Sequence, residues 1–210
     1  MSKGIGIGCV VLGIICLLIA VGIVGLNRYE EKKGETASRT MLETVRVNMD
    51  SRSQPETVPT EEPEEVPVPE MIPDPEPLEM QTVPAGDFDC IGILSIPVLE
   101  LELPVLSGWS YEKLKYAPCQ YNGSYFEPDF VIAAHNYVSH FGRLSQLRAG
   151  DLILFTDVTG TVRCYEVVLL ETLPATATEE MITSGFDLSL YTCTPGGGNR
   201  VTVRCRTVNP

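Results

Sequence analysis

Ser189-Leu190-Tyr191-Thr192-Cys193-Thr194-Pro195-Gly196-Gly197-Gly198-Asn199-Arg200 is the stretch from which the rest of the chain is read. A short alternating run ends on a cysteine, a proline and three glycines turn the chain, and the next strand opens on an arginine. The thiol therefore stands at the end of a strand and not in its middle, with a permanent cation close by. Such a position suits a nucleophile at the edge of a sheet, whereas a cysteine in mid-strand is most simply a small core side chain.

The flanking strands have the same texture. Phe186 to Cys193 and Arg200 to Val208 read as the last two strands. In the second of them Val201, Val203 and Cys205 share one face, and Arg200, Thr202, Arg204 and Arg206 share the other. Cys205 and Cys164, both mid-strand, read as core thiols. Upstream, Cys90 to Ile96 alternates and stops at Pro97, and Leu99, Leu101, Leu103 and Val105 alternate with Glu100, Glu102 and Pro104. Phe130 to Ala134 is a buried apolar strand that delivers His135 at its end. Leu152 to Phe155 and Thr161 to Leu170 flank Asp157-Val158-Thr159-Gly160, a hairpin signal. Residues 109–118 and 176–184 fit short helices or turns. About seven to eight short strands with one or two brief helices argue for a mainly β fold, a closed mixed or antiparallel β-barrel.

Ahead of the barrel the composition changes twice. Residues 5–26, Ile5 to Leu26, form an uncharged run of 22 that would span about 30 Å as a helix, enough for a transmembrane anchor behind a short tail of residues 1–4. Residues 27–53 form a juxtamembrane segment with helical spacing at Met41, Leu42, Val45 and Met49 and a thin apolar face. Residues 54–88 read as an acidic, Pro-rich stalk. Nine of the sixteen prolines fall within it, and residues 54–89 hold eleven acidic residues and no basic one. At about 3 Å per residue an extended chain of this kind holds a domain roughly 100 Å away. The catalytic domain is expected over residues 89–210.

The net charge of −13 is thus a property of one segment, and no basic stripe marks a nucleic-acid binder. The seven cysteines have no paired zinc spacing and there are two histidines, so neither a metal site nor a cofactor is expected. His140, inside a polar loop, competes with His135 for a chemical role. Arg204 competes with Arg200, being on the same strand face.

At this point the residues resemble a known family. From about Asp89 to Val208 the chain is similar to the sortases, membrane-anchored cysteine transpeptidases of Gram-positive bacteria. Leu190-Tyr191-Thr192-Cys193 is similar to the family's T-L-x-T-C signature, with Ser189 where Thr is usual. Ile91-Gly92-Ile93-Leu94-Ser95-Ile96-Pro97 with Leu103-Pro104-Val105 resembles its opening strands. Ala134-His135-Asn136 matches the catalytic-histidine position, and Arg200-Val201-Thr202-Val203-Arg204 the strand that supplies the arginine.

The resemblance implies Cys193 as nucleophile, His135 as acid and base, and Arg200 at the oxyanion, with Arg204 as the alternative. Thr192, Ala134 and Asn136 are expected beside the substrate. The implied substrates are secreted proteins with an LPxTG-like sorting signal, and the implied acceptor is an amine of a lipid-linked peptidoglycan precursor or a pilin lysine. A single-pass membrane protein with its catalytic domain outside is implied too. The flanking charges do not favour that topology, since Lys3 lies on one side and Arg28, Lys32 and Lys33 on the other; the resemblance overrides them. The Asp-Pro-aromatic lid of pilus sortases is not expected, because Glu76 follows Asp74-Pro75. Asp129, Asp151 and Asp157 do not read as calcium ligands. The alternative to catalysis is a non-catalytic, stalked surface binding domain on the same barrel.

Overall fold

The computed structural model describes residues 2–53 and 79–208, with side chains from residue 9 onward. In chain order the elements are helix α1 (Ser2–Ser53), strands β1 (Val83–Ala85), β2 (Phe88–Ile96), β3 (Leu101–Leu106), β4 (Cys119–Asn122), β5 (Phe130–Ala133), β6 (Leu152–Asp157) and β7 (Val162–Pro174), helix α2 (Thr178–Ile182), and strands β8 (Leu188–Cys193) and β9 (Asn199–Val208). Three short 3₁₀ turns connect them.

The strands run β2-β3-β4-β5-β8-β9-β7-β6, and β6 pairs back onto β2, which closes an eight-stranded mixed barrel. The β3–β4 and β5–β8 pairs are parallel and the other pairs of the ring antiparallel. β1 is a short antiparallel addition on β2. The β3–β4 seam rests on a single residue pair, Leu106 with Cys119.

Alternation along the strands fills the barrel. Leu94, Leu103, Phe130, Ile132, Phe155, Tyr165, Leu188, Leu190 and Val203 pack in its interior. Cys205 joins them, as its strand face predicts. Cys164 is buried but belongs to neither apolar cluster, because β7 turns its neighbours Tyr165 and Val167 inward. Leu99 lies in a 3₁₀ turn and not in the strand expected to carry it. β4 has no counterpart in the sequence reading. Its Cys-Gln-Tyr-Asn is short and polar, and its pairing to β5 is what makes it a strand.

A second apolar layer lies outside the barrel. Val45 of α1 is fully buried against Val83, Ala85, Cys90 and Leu106, and Met41, Leu42 and Met49 pack beside it. Burying one such valine contributes about 1.5–3 kcal/mol. Asn48 Nδ2 donates to the Pro84 carbonyl at 2.8 Å, and Arg46 pairs with Glu102. The thin stripe at Met41, Leu42, Val45 and Met49 is therefore a docking face.

One expectation changes. The folded domain begins before residue 89, since Val83 and Ala85 are fully buried. The ends that flank the segment from 54 onward, α1 before it and β1 after it, are packed together. Most of that segment, with Asp74-Pro75-Glu76, lies outside the described residues. Farther back along α1, Val10 to Leu26 stand clear of the barrel; the helix is long and apolar enough to cross a membrane, with a mean hydropathy of 3.1 over its most apolar window.

Barrel closure depends on Gly92. A methyl group there would press on the Thr156 carbonyl oxygen and stand 2.7 Å from the Phe155 ring, at the β2–β6 seam. Gly92→Ala is expected to destabilise the domain by about 1–3 kcal/mol. A urea midpoint equal to the parent's would contradict this.

Candidate functional site

The register of three neighbouring strands assembles the site. β5 and β8 run parallel with Ala133 opposite Tyr191, and the Ala134 amide continues the ladder by donating to the Tyr191 carbonyl at 3.2 Å. His135 and Cys193 each stand two residues beyond that pair, so they lie side by side. On the other side of β8, Cys193 is paired with Arg200 of β9. Cys193 and Arg200 thus face each other across two strands at a spacing of about 4.8 Å, and His135, just past the end of β5, continues the row.

All three side chains line one groove on the outer face of the barrel, with a volume of about 220 Å³. Parity explains the facing. Leu190 and Thr192 point inward and are buried, so Tyr191 and Cys193 point outward. Trp109, Tyr111 and Tyr121 build one wall, and Pro174, Ala175 and Met181 contribute to the other. The wall is a chain of ring contacts. Tyr121 meets Tyr191 edge-on at 5.2 Å, Trp109 packs on Tyr121 at 5.3 Å, and Tyr111 on Trp109 at 5.4 Å. Sequence reasoning missed this wall because Tyr121 belongs to β4. The usable signal was Tyr191, two residues before Cys193 on the same face.

The two histidines have different fates. His135 is half-buried at the groove, and burial, helped by the nearby Lys115 charge, lowers its pKa below the usual value. Its ring packs on Tyr137 at 4.9 Å. His140 is fully buried, with the Gly34 backbone of α1 beside its ring. Burial, with a smaller contribution from His135, lowers it to about 4. It does not reach the groove.

The two arginines also separate. Arg200 lines the groove and donates to the Gly197 and Asn199 carbonyls at 3.0 and 3.1 Å, both through Nη1, leaving Nη2 without a hydrogen-bond partner among the described residues. Arg204 is 2 % exposed, and its donors go to Glu171, Ser189 Oγ and the Met181 and Glu180 carbonyls. It is the buried staple of α2, β7 and β8, and is not free to meet a ligand.

Among the residues expected beside the substrate, Thr192 is buried and its hydroxyl donates to the Ala134 carbonyl at 2.9 Å. That bond ties the ends of β5 and β8 together. Ala134 borders the groove, whereas Asn136 is exposed outside its lining.

The remaining thiols of the described residues contrast with Cys193. All are free. Burial pushes Cys90 up to about 11 and Cys119 and Cys205 up to about 12. Cys193 is the one domain cysteine that is not buried. The aspartates have structural work. Asp129 accepts from the Ser184 and Gly185 amides, Asp151 from the Arg148 amide, and Asp157 holds the Thr159–Arg163 turn.

Comparison with known proteins adds the family. The sortase domain family matches residues 94–208. No curated protein matches the chain. Among solved structures the fold is similar to sortase A from Corynebacterium diphtheriae (22 % identity, TM-score 0.53), covering 59 % of this chain and 63 % of that one. It is similar to sortase C from Clostridium perfringens (22 %, TM-score 0.52; 58 % and 71 %) and to sortase C of Streptococcus pneumoniae (27 %, TM-score 0.51; 58 % and 70 %).

The buried His140 makes stability depend on pH. Its folded pKa of about 4 lies below the unfolded value of 6.5, so the unfolded chain binds the extra proton between those limits. Stability is complete above pH 6.5 and falls as the pH drops towards 4, by about 3 kcal/mol from this group. Urea titrations at pH 7 and 4.5 should show the loss, and His140→Phe should lessen it. An unchanged slope in that variant would refute the assignment.

Proposed function

This chain belongs to the sortase family, and on that premise we propose that it is a cysteine transpeptidase in which Cys193, His135 and Arg200 carry acyl transfer. The observation that supports this most is the row of these three side chains along one groove, with His140 and Arg204 both withdrawn from it.

In this reading the Cys193 thiolate attacks a backbone carbonyl of a sorting-signal peptide lying in the groove. The carbonyl becomes an oxyanion, and the guanidinium of Arg200, always charged and with Nη2 unengaged among the described residues, donates to it. Collapse of the tetrahedral intermediate breaks the amide bond. The departing amine needs a proton, and His135 gives it. A thioester remains on Cys193. An incoming amine then loses a proton to His135, attacks the thioester and leaves with a new amide bond, which restores the thiolate and the imidazolium. Burial lowers the pKa of His135, which disfavours its charged form.

The substrates proposed are secreted proteins with an LPxTG-like C-terminal signal. The proposed acceptors are amines of a lipid-linked cell-wall precursor or a pilin lysine. The aromatic wall of Trp109, Tyr121 and Tyr191 suits an apolar residue of such a signal. We further propose residues 5–26 as a single-pass anchor with the barrel outside the cell, which brings the groove to substrates and acceptors at the membrane surface.

Incubation of the full chain with LPxTG-like peptides should give an acyl adduct on Cys193 detectable by mass spectrometry. Cys193→Ala should give none while remaining folded. Arg200→Ala should lower kcat/KM by about 10²–10³-fold with little change in stability, whereas Arg204→Ala should mainly lower the urea midpoint. Labelling of the Cys193→Ala protein by a peptide vinyl sulfone at the parent's rate would overturn the reading.

A further inference from the structure

The loop after His135 is gripped from outside the barrel. Within residues 135–142 the chain folds tightly on itself, with the Phe141 amide donating to the His135 carbonyl at 3.1 Å and the His140 and Gly142 amides to the Tyr137 carbonyl at 2.9 and 2.8 Å. The amide of Val138 is taken up by α1, donating to Glu31 Oε1 at 2.7 Å across 107 residues of sequence. One turn on, α1 presents Gly34. A methyl group there would stand 3.0 Å from the Lys115 carbonyl oxygen and 3.3 Å from the Tyr137 ring, so the helix backbone itself bears on that ring. Tyr137 in turn packs on His135 at 4.9 Å and on His140 at 5.5 Å.

Glu31 and Gly34 are not an isolated contact. With Ser38, Met41 or Leu42, and Val45 they form one stripe at helical spacing. The far end of that stripe is the buried Val45 on β1 to β3, and Ser38 between is 3 % exposed. The helix is thus seated at one end by apolar burial and delivers its other end to the histidine loop.

We propose that Glu31 and Gly34 of α1 are positioning residues for His135, setting the imidazole through Val138 and the Tyr137 ring, so that the helix emerging from the apolar N-terminal run completes the groove it does not itself line. The proposal rests on His135 being the acid and base of the reaction. The charged and titratable groups around that imidazole are Lys115, Tyr137 and His140 on the barrel side, Cys193 and Arg200 in the groove, and Glu30 and Glu31 on the helix, which act on it by way of Tyr137.

The test uses the full chain in lipid nanodiscs with ¹³C-labelled histidine, whose two rings give two signals. Glu31→Ala and Gly34→Leu should lower kcat for peptide cleavage on the order of 10- to 100-fold with KM changed less than about twofold, as for a misplaced catalytic group. In the same variants the His135 titration midpoint should move up towards 6.5 as its cover loosens. Glu31→Gln, which keeps an oxygen acceptor for the Val138 amide, should stay near the parent in both readouts. His140 reports independently on the helix, since unseating it exposes that ring. A shifted His140 signal with parental kcat and His135 midpoint would overturn the proposal, as would parental behaviour of both rings in Gly34→Leu. If Gly34→Leu does not fold, the Glu31→Ala and Glu31→Gln pair decides. If the parent forms no acyl adduct on Cys193, the transpeptidase reading falls, and the His135 midpoints still decide whether α1 positions the ring.

Discussion

The parallel pairing of β5 with β8 is the constraint from which the site follows. Parallel neighbours end at the same edge of a sheet, so whatever each strand carries just past its last ladder bond is delivered to the same place. Here one strand carries His135 and the other Cys193, in register because Ala133 faces Tyr191. The Thr192 hydroxyl on the Ala134 carbonyl extends that register one step beyond the backbone ladder, in the protein interior where the bond is shielded from water. Antiparallel pairing of β8 with β9 then adds Arg200 by simple reversal of the chain. No long-range search for a third partner is needed; a turn of five residues after Cys193 suffices.

Around this row the protein divides its cations and histidines by burial. Arg204 is surrounded by acceptors and holds α2 against the barrel, which fixes the wall containing Met181. A buried guanidinium with its donors satisfied is costly to disturb, since a lost partner leaves polar groups unpaired in a dry place. Arg200, four residues nearer the turn, keeps part of its fork open to the groove. His140 and His135 show the same division, five residues apart in sequence and linked by the Tyr137 ring.

Much of this was legible beforehand, and the physical reasons differ from case to case. Strand-face parity in β9 separated Cys205 from the arginines, and the strand-end positions of His135 and Cys193 marked the groove edge, because period-two alternation is local information. The choice between Arg200 and Arg204 was open, since both lie on one face and only the acceptors brought by α2 and β7 distinguish them. β4 was invisible because its residues have no apolar alternation and become a strand through pairing alone. The helix 27–53 was read as weakly amphipathic, and its stripe is indeed thin. What could not be read was its partner, the apolar outer surface of β1 to β3, which exists only once the barrel has closed. The Pro-rich composition after residue 53 suggested a spacer, and most of that segment lies outside the described residues.

The β3–β4 seam gives the barrel an uneven stiffness. One residue pair joins these strands, and the 12 residues between them carry Trp109, Tyr111 and Leu114 into the groove wall. The other wall stands on the ten-pair ladder of β7 and β9. Local opening costs least where few ladder bonds must break. The groove is therefore a vice with one fixed jaw and one compliant jaw: the aromatic side is the cheaper one to displace, and the row of cysteine, histidine and arginine does not depend on it. Adaptability of the groove and the spacing of its histidine, cysteine and arginine are in this way assigned to mechanically separate parts of one small barrel.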